Sequence, residues 1–312
     1  MLIDEFSSFE NKYLFEKKYD DFSYWVYSRY AIFSYLTKLQ EGIEMSSQKM
    51  TDGLICGIKN MIINSLRYRH KIKKIGHRDL LILNHERRVL KDGYYRCIYT
   101  EQIEEHYPNS VVLERPYFYK HLKPIQTERI FYSDCVELES LIYGFLECKL
   151  KAKKYRKAKK FFEKEMSIVA PEFQHMVKQE VSVEALSEML TRLYLLYCVK
   201  RKKFEKIIQK IQPKVILEVV SYNLDCMIFN EIAYEKKINT IELQHGVMSG
   251  SIAYYYPKNV LIKQFPQKVF LFSDYWKNCI SVPLEDKNVI SVGYPYFEAV
   301  SYTHLRAHET TL

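Results

Sequence analysis

The sequence predicts an α/β protein built on a doubly wound parallel sheet. Apolar runs of strand length recur along the chain, from Asp79-Leu-Leu-Ile-Leu-Asn84 to Val289-Ile-Ser-Val292, and such continuous runs fit strands covered on both faces. From Pro213 onward the runs alternate with short helical patterns, as βαβ units do. Several runs also stop abruptly at polar residues, and ligands of such sheets collect at strand carboxyl ends.

Residues 1–75 form a helical N-terminal region. Within it Phe22, Trp25, Val26, Tyr30 and Phe33 recur at three- and four-residue spacing and make one apolar, aromatic face. Residues 76–298 form a Rossmann-like domain. Its first strand is Asp79–Asn84, followed by Val111–Leu113 and Arg129–Ser133. A long, basic helical insertion spans about 136–210 and is expected to break near Pro171, where a backbone donor is missing. Strand Pro213–Val220 resumes the series. A helix at about 224–237, strands at 240–244 and 268–273, a short helix at Trp276 and a strand at 289–292 complete it, ending in the turn Gly293-Tyr294-Pro295. Residues 299–312 change in character, and Ser301-Tyr-Thr-His-Leu-Arg-Ala-His-Glu-Thr-Thr-Leu312 resembles translated sequencing-adapter read-through. This tail is set aside as artefactual, and the natural chain is expected to continue past Glu298.

Composition narrows the function classes. A chain with 47% hydrophobic and 27% charged residues is globular rather than disordered. No apolar run reaches bilayer length and the N-terminus lacks the order of a signal peptide, so the expected location is cytoplasmic. The scattered cysteines form no CxxC pattern and read as reduced thiols. The net charge of +9 is concentrated in 149–160, where Lys151, Lys154, Arg156, Lys157 and Lys160 would make a cationic patch. That patch suits anionic partners or peripheral contact with an inner-membrane surface, its alternative being a solvated helix face. No zinc finger, RRM signature or helix-turn-helix accompanies it, which disfavours nucleic acid. GxGxxG, GxxxxGK[ST], Asp-x-Asp and GxSxG are all missing, so dinucleotide, P-loop, metal-bound sugar-nucleotide and serine-hydrolase chemistries are disfavoured.

Thr240-Ile-Glu-Leu-Gln244-His245-Gly246 is the most site-like stretch. A strand that stops at His-Gly sets an imidazole at the mouth of a sheet, and an imidazole titrates close enough to neutrality to take a proton from a hydroxyl. His245 is therefore the candidate catalytic base, with a satisfied buried histidine as the alternative. Gln244 would orient the ring or the acceptor, and Gly246 would allow close backbone approach. His85, Glu86, Asn223, Ser273 and Asp274 are further substrate-binding candidates at strand ends, with Tyr222 beside them. Asp134 and Asp274 also read as helix N-caps. Glu218, inside an apolar strand, must be paired, have a raised pKa or face the cleft.

Together, Gln244-His245-Gly246, Tyr256-Pro257, Phe272-Ser-Asp-Tyr-Trp-Lys277 and Gly293-Tyr294-Pro295 resemble GT-B-type glycosyltransferases of bacterial capsule and lipopolysaccharide synthesis. They are also similar to the related teichoic-acid glycerophosphotransferases. The resemblance covers about Pro213 to Phe297. It implies that 76–298 is the acceptor-side half of a GT-B fold, that the nucleotide-donor domain is missing, and that His245 is the general base. It further implies a nucleotide-sugar donor as substrate, a glycan or lipid-linked acceptor, and no metal or other cofactor. Val247 stands where the teichoic-acid group carries Thr or Ser, which favours sugar transfer over glycerol-phosphate transfer. A sugar-nucleotide epimerase of the same architecture and a non-catalytic binding module are the alternatives.

Overall fold

The computed structural model describes residues 1–10, 14–43, 52–85, 88–117, 120–257 and 260–294. Glu86, Pro295 to Glu298 and the 299–312 tail lie outside the described residues. The chain opens with helices α1 (Leu2–Glu10), α2 (Tyr24–Gln40) and α3 (Asp52–Lys74), then strand β1 (Leu80–Leu83). A hairpin of β2 (Val89–Lys91) and β3 (Tyr94–Arg96), helix α4 (Glu101–His106), and strands β4 (Ser110–Glu114) and β5 (Ile130–Tyr132) follow. Helices α5 (Asp134–Lys149), α6 (Lys153–Val177) and α7 (Val183–Ile211) lead to β6 (Val215–Glu218), α8 (Leu224–Lys236), β7 (Asn239–Leu243), β8 (Lys268–Leu271) and β9 (Val289–Ser291).

The seven sheet strands lie in the order β5-β4-β1-β6-β7-β8-β9, and every pair is parallel. This is a Rossmann-like doubly wound α/β fold. The chain builds outward from β1 through β4 to β5, crosses back, and builds the other way from β6. The strand order therefore reverses between β1 and β6, where a crevice opens at the carboxyl ends. Alternation divides the side chains as a pleat requires: Leu81, Leu83 and Ile216 point into the larger core, while Ile82, Val112 and Leu217 point to the opposite face.

The structure departs from the sequence reading in the helical insertion. Helix α6 runs through Pro171 without breaking. Its inward residues Val169, Ala170 and Phe173 are buried and hold the helix in place. Ser167, whose carbonyl loses its donor, is exposed, so water can take up the missing bond. The breaks fall instead at Lys151 and Lys178, both left-handed at φ 43° and 55°. The β2–β3 hairpin was also unread, although Asp92-Gly93 supplies it. Their φ values of 52° and 78° are those of a primed two-residue turn. Asp134 is the first residue of α5 rather than its cap, and its Oδ2 lies 2.8 Å from His121 Nε2.

The N-terminal helices join the same core as the sheet. Phe6 and Trp25 pack in parallel-displaced fashion on Phe173, with centroids 6.1 and 6.3 Å away. One turn beyond Trp25, Arg29 is 2% exposed. Its Nε and Nη2 donate to the two oxygens of Glu10 at 2.7 and 2.6 Å. Nη1 donates to the Ile252 carbonyl at 2.6 Å, Nη2 also to the Tyr255 carbonyl at 2.7 Å, and the guanidinium lies 4.2 Å from the centroid of Tyr256. Removing one partner of a buried ion pair strands the other charge, typically at about 3–5 kcal/mol. Arg29→Ala should lose stability of that order in urea unfolding, and Arg29→Met with Glu10→Gln distinctly less. Equal losses would show that the pairing is not what matters.

Candidate functional site

The crevice at the strand-order reversal gathers the ends of β1, β6 and β7. His85 leaves β1, Tyr222 follows β6, and His245 lies just beyond β7. The His85 and His245 rings are 6.3 Å apart, and Tyr222 Oη lies 3.4 Å from His245 Nε2. His245 Nδ1 is buried without a well-formed hydrogen bond. Tyr99, from the segment before α4, donates its hydroxyl to the His245 carbonyl at 2.8 Å and lies flat against Tyr294 at 6.4 Å. Tyr30 of α2 packs on Tyr222 at 4.8 Å. Tyr30 was read as part of the buried helix face, yet it is exposed and forms part of the site's aromatic wall.

A buried network fixes the β1 end. Glu114 Oε2 accepts from Asn84 Nδ2 at 2.7 Å and from Arg88 Nε at 2.8 Å, while Thr100 donates to Asn84 Oδ1 at 2.6 Å. That network anchors the segment that carries Tyr99. Each of its charges is matched, so it contributes rigidity rather than net charge.

The predicted site residues divide by role. Gln244 is buried: its Oε1 accepts from the Phe272 N–H and its Nε2 donates to the Gly246 carbonyl, both at 2.8 Å. It ties the end of β7 to the end of β8 and so positions His245. Asn223 caps α8, accepting from the Cys226 N–H at 2.9 Å. Gly246 lacks a positive φ, and a Cβ there would meet nothing within 4 Å, so the open space beside it, not a strained turn, is what the structure shows. Ser273 and Asp274 are exposed beyond β8. Asp274 accepts from Ser291 at 2.6 Å and pairs with Lys277 at 2.7 Å, and these contacts hold its carboxyl below the usual range. In the basic patch Lys151, Arg156, Lys157 and Lys160 are exposed, whereas Lys154 turns inward to Cys198 Sγ at 3.0 Å.

No family model, curated protein or solved structure matches this chain significantly. Among the described residues no group of His, Cys, Asp or Glu side chains is arranged to hold a metal ion.

Burial, with the neighbouring His85 in second place, pulls the His245 pKa down to about 4. The ring is thus neutral at physiological pH and can accept a hydrogen bond from a hydroxyl. The strands that lead to Tyr222 and His245 carry an unusual pair of carboxyls. Glu218 of β6 and Glu242 of β7 are register partners, both fully buried, on the same face of the sheet. Glu242 Oε1 accepts from the Ser221 N–H at 3.1 Å and the Tyr254 hydroxyl at 2.7 Å, and Glu218 Oε1 accepts from Asn230 at 2.8 Å. Burial, then repulsion from Glu242, pushes Glu218 up to about 8; burial alone pushes Glu242 up to about 7.

These shifts act on stability in opposite directions. The raised carboxyls stabilise the fold fully below their unfolded pKa near 4.5, and that contribution is lost as pH rises through 7 and 8. The depressed histidine contributes above 6.5 and loses its contribution as pH falls towards 4. Stability should therefore peak on the acid side of neutrality. Glu218→Gln should flatten the alkaline decline, gaining about 2–4 kcal/mol relative to wild type between pH 5 and pH 9. Parallel urea-midpoint profiles for the two proteins would refute the protonated carboxyl pair.

Proposed function

We propose that this chain is the acceptor-side part of a GT-B-type glycosyltransferase that passes a sugar from a nucleotide donor to a hydroxyl of a surface polysaccharide. One observation carries the reading: a neutral His245 stands beside Tyr222 and His85 at the strand carboxyl ends, with the rings of Tyr99 and Tyr222 next to it and open space beside Gly246. Sugar rings pack their apolar faces on aromatic side chains, and a hydroxyl held there can donate to a neutral imidazole. The short motifs named above also fit a donor held by helix N-termini and basic groups.

In this mechanism His245 Nε2 takes the acceptor hydroxyl's proton as the oxygen attacks the anomeric carbon. The bond from that carbon to the donor phosphate breaks, and the nucleotide leaves with the electron pair. A base held near pKa 4 is weak, since general-base catalysis works best near the operating pH. The donor supplies the correction. A phosphate anion brought close favours imidazolium and raises the His245 pKa, so the base strengthens once both substrates are in place. Tyr222 and Tyr99 hold the ring and its backbone, and Gln244 sets the loop.

A non-catalytic binding module is the competing reading. It would use the same aromatic crevice without any dependence on His245, whereas an epimerase would turn over the nucleotide sugar alone. The deciding assay is transfer of a sugar from a nucleotide donor to a glycan acceptor. His245→Ala should lower kcat by about 10²–10⁴-fold with little change in KM for the acceptor. In wild type the acid limb of kcat/KM should fall near pH 4, and that of kcat at higher pH. Undiminished transfer by the variant would sink the assignment.

A further inference from the structure

Two neighbouring helices present large apolar side chains to the outside. On α5, Leu141, Ile142, Phe145 and Leu146 are exposed, and Leu150 at its C-cap is 72% exposed. Their spacing puts them on one helix face. On α3, Ile62, Ile63 and Leu66 are exposed in the same pattern, Leu66 at 74%. Helices α3 and α5 pack against each other, so the two exposed stripes lie on neighbouring helices. Amphipathic helices ordinarily turn such stripes inward, and contiguous exposed apolar surface marks an interaction site.

Beyond Leu141 the exposed charges around this surface are positive, while at its N-terminal end Glu139 is paired with Lys203. Lys59 and Arg67 are exposed on α3, and Lys149 Nζ lies 5.5 Å from the Phe145 ring centroid. Lys151, Lys153, Arg156, Lys157 and Lys160 carry exposed positive charge on into α6. From Leu141 to Lys160 no carboxylate is exposed, the single one, Glu147, being half-buried. A second copy of the chain docked here about a twofold axis would set lysine against lysine around the apolar contact. An anionic bilayer offers an apolar layer and a negative layer at matching depths.

We propose that the α3–α5 face docks on an anionic lipid surface, its apolar stripe at the boundary between headgroups and acyl chains and its lysines on the headgroups. Among the described residues no helix is long and apolar enough to cross a membrane, and this contact needs none. It does not depend on the transfer chemistry, because binding is read without turnover.

The test is co-sedimentation with vesicles of phosphatidylcholine alone and of phosphatidylcholine mixed with phosphatidylglycerol. Wild type should bind the anionic vesicles at least about tenfold more tightly, with the preference shrinking as salt rises. Lys149→Glu with Lys151→Glu and Lys153→Glu should weaken anionic binding by about fivefold or more per residue. Phe145→Ser with Leu150→Ser should abolish the binding that persists at high salt. All five side chains are exposed, so an unchanged Tm verifies the fold of each variant. Three results would overturn the proposal: equal binding to both vesicle types, wild-type affinity in the variants, or a solution dimer that Phe145→Ser dissociates.

Discussion

Arg29 is the joint on which the rest of the arrangement hangs. Its guanidinium binds Glu10 of α1 by both oxygens, and from α2 it reaches across to the carbonyls of Ile252 and Tyr255. Those carbonyls lie on the segment that leaves the His245 loop, so a single side chain ties the N-terminal helices to the far side of the sheet. Glu10 in turn accepts from Trp25 Nε1 at 2.9 Å, which leaves the pair fully used. A charged group at such depth is stable only with this degree of partnering. It also explains how α2 comes to offer Tyr30 to the crevice. The turn that buries Arg29 leaves the next residue pointing at Tyr222.

The candidate site is electrostatically quiet. Arg88 is spent on Glu114, and Lys200 is shared between Glu137 and Asp225 at 2.6 Å each. The buried carboxyls Glu218 and Glu242 favour their neutral forms, as does the His245 imidazole. A crevice of neutral groups in low dielectric responds strongly to the next charge that enters it. The same desolvation that weakens His245 as a free base makes its basicity sensitive to an anionic ligand. Low basicity in the free protein and a strong response to a nearby anion thus have one origin.

Much of the sheet was legible because its strands are buried on both faces. Continuous runs such as Leu80–Leu83 and Val215–Glu218 leave little ambiguity, and the His-Gly step after β7 falls beside His85 and Tyr222. Glu218 stood out for the right reason, since a carboxylate in an apolar strand needs a partner, a raised pKa or a place facing the cleft, and its pKa is raised. What it stands against is a second carboxyl, Glu242, and only strand register reveals that pairing. Arg29 was invisible for a different reason. It falls four residues after Trp25, on the buried face, but a charge drops out of any apolar count. Tyr99 had no local signal at all, because its place is set by Asn84, Thr100 and Glu114, which come together only when β1 and β4 pair. The β2–β3 hairpin escaped because its residues are exposed or half-buried and lack an apolar run, even though Asp92-Gly93 spelled the turn.

The helix directions relate the proposed lipid-docking face to the crevice. Helix α5 starts where β5 ends, at the carboxyl edge of the sheet, and runs towards the opposite edge. Phe145 lies about 16 Å of helix away from Asp134, and Leu150 still further. A bilayer against this flank therefore lies beside the sheet rather than across the mouth of the crevice. Under the proposed transfer reaction a soluble donor would then reach the strand ends without crossing headgroups, whereas an acceptor tethered to lipid would have to extend along the flank by several sugar units to bring a hydroxyl to His245. The proposed reaction and the proposed docking face are thus compatible with each other only if the acceptor already carries a short glycan, that is, in chain extension rather than at the first sugar.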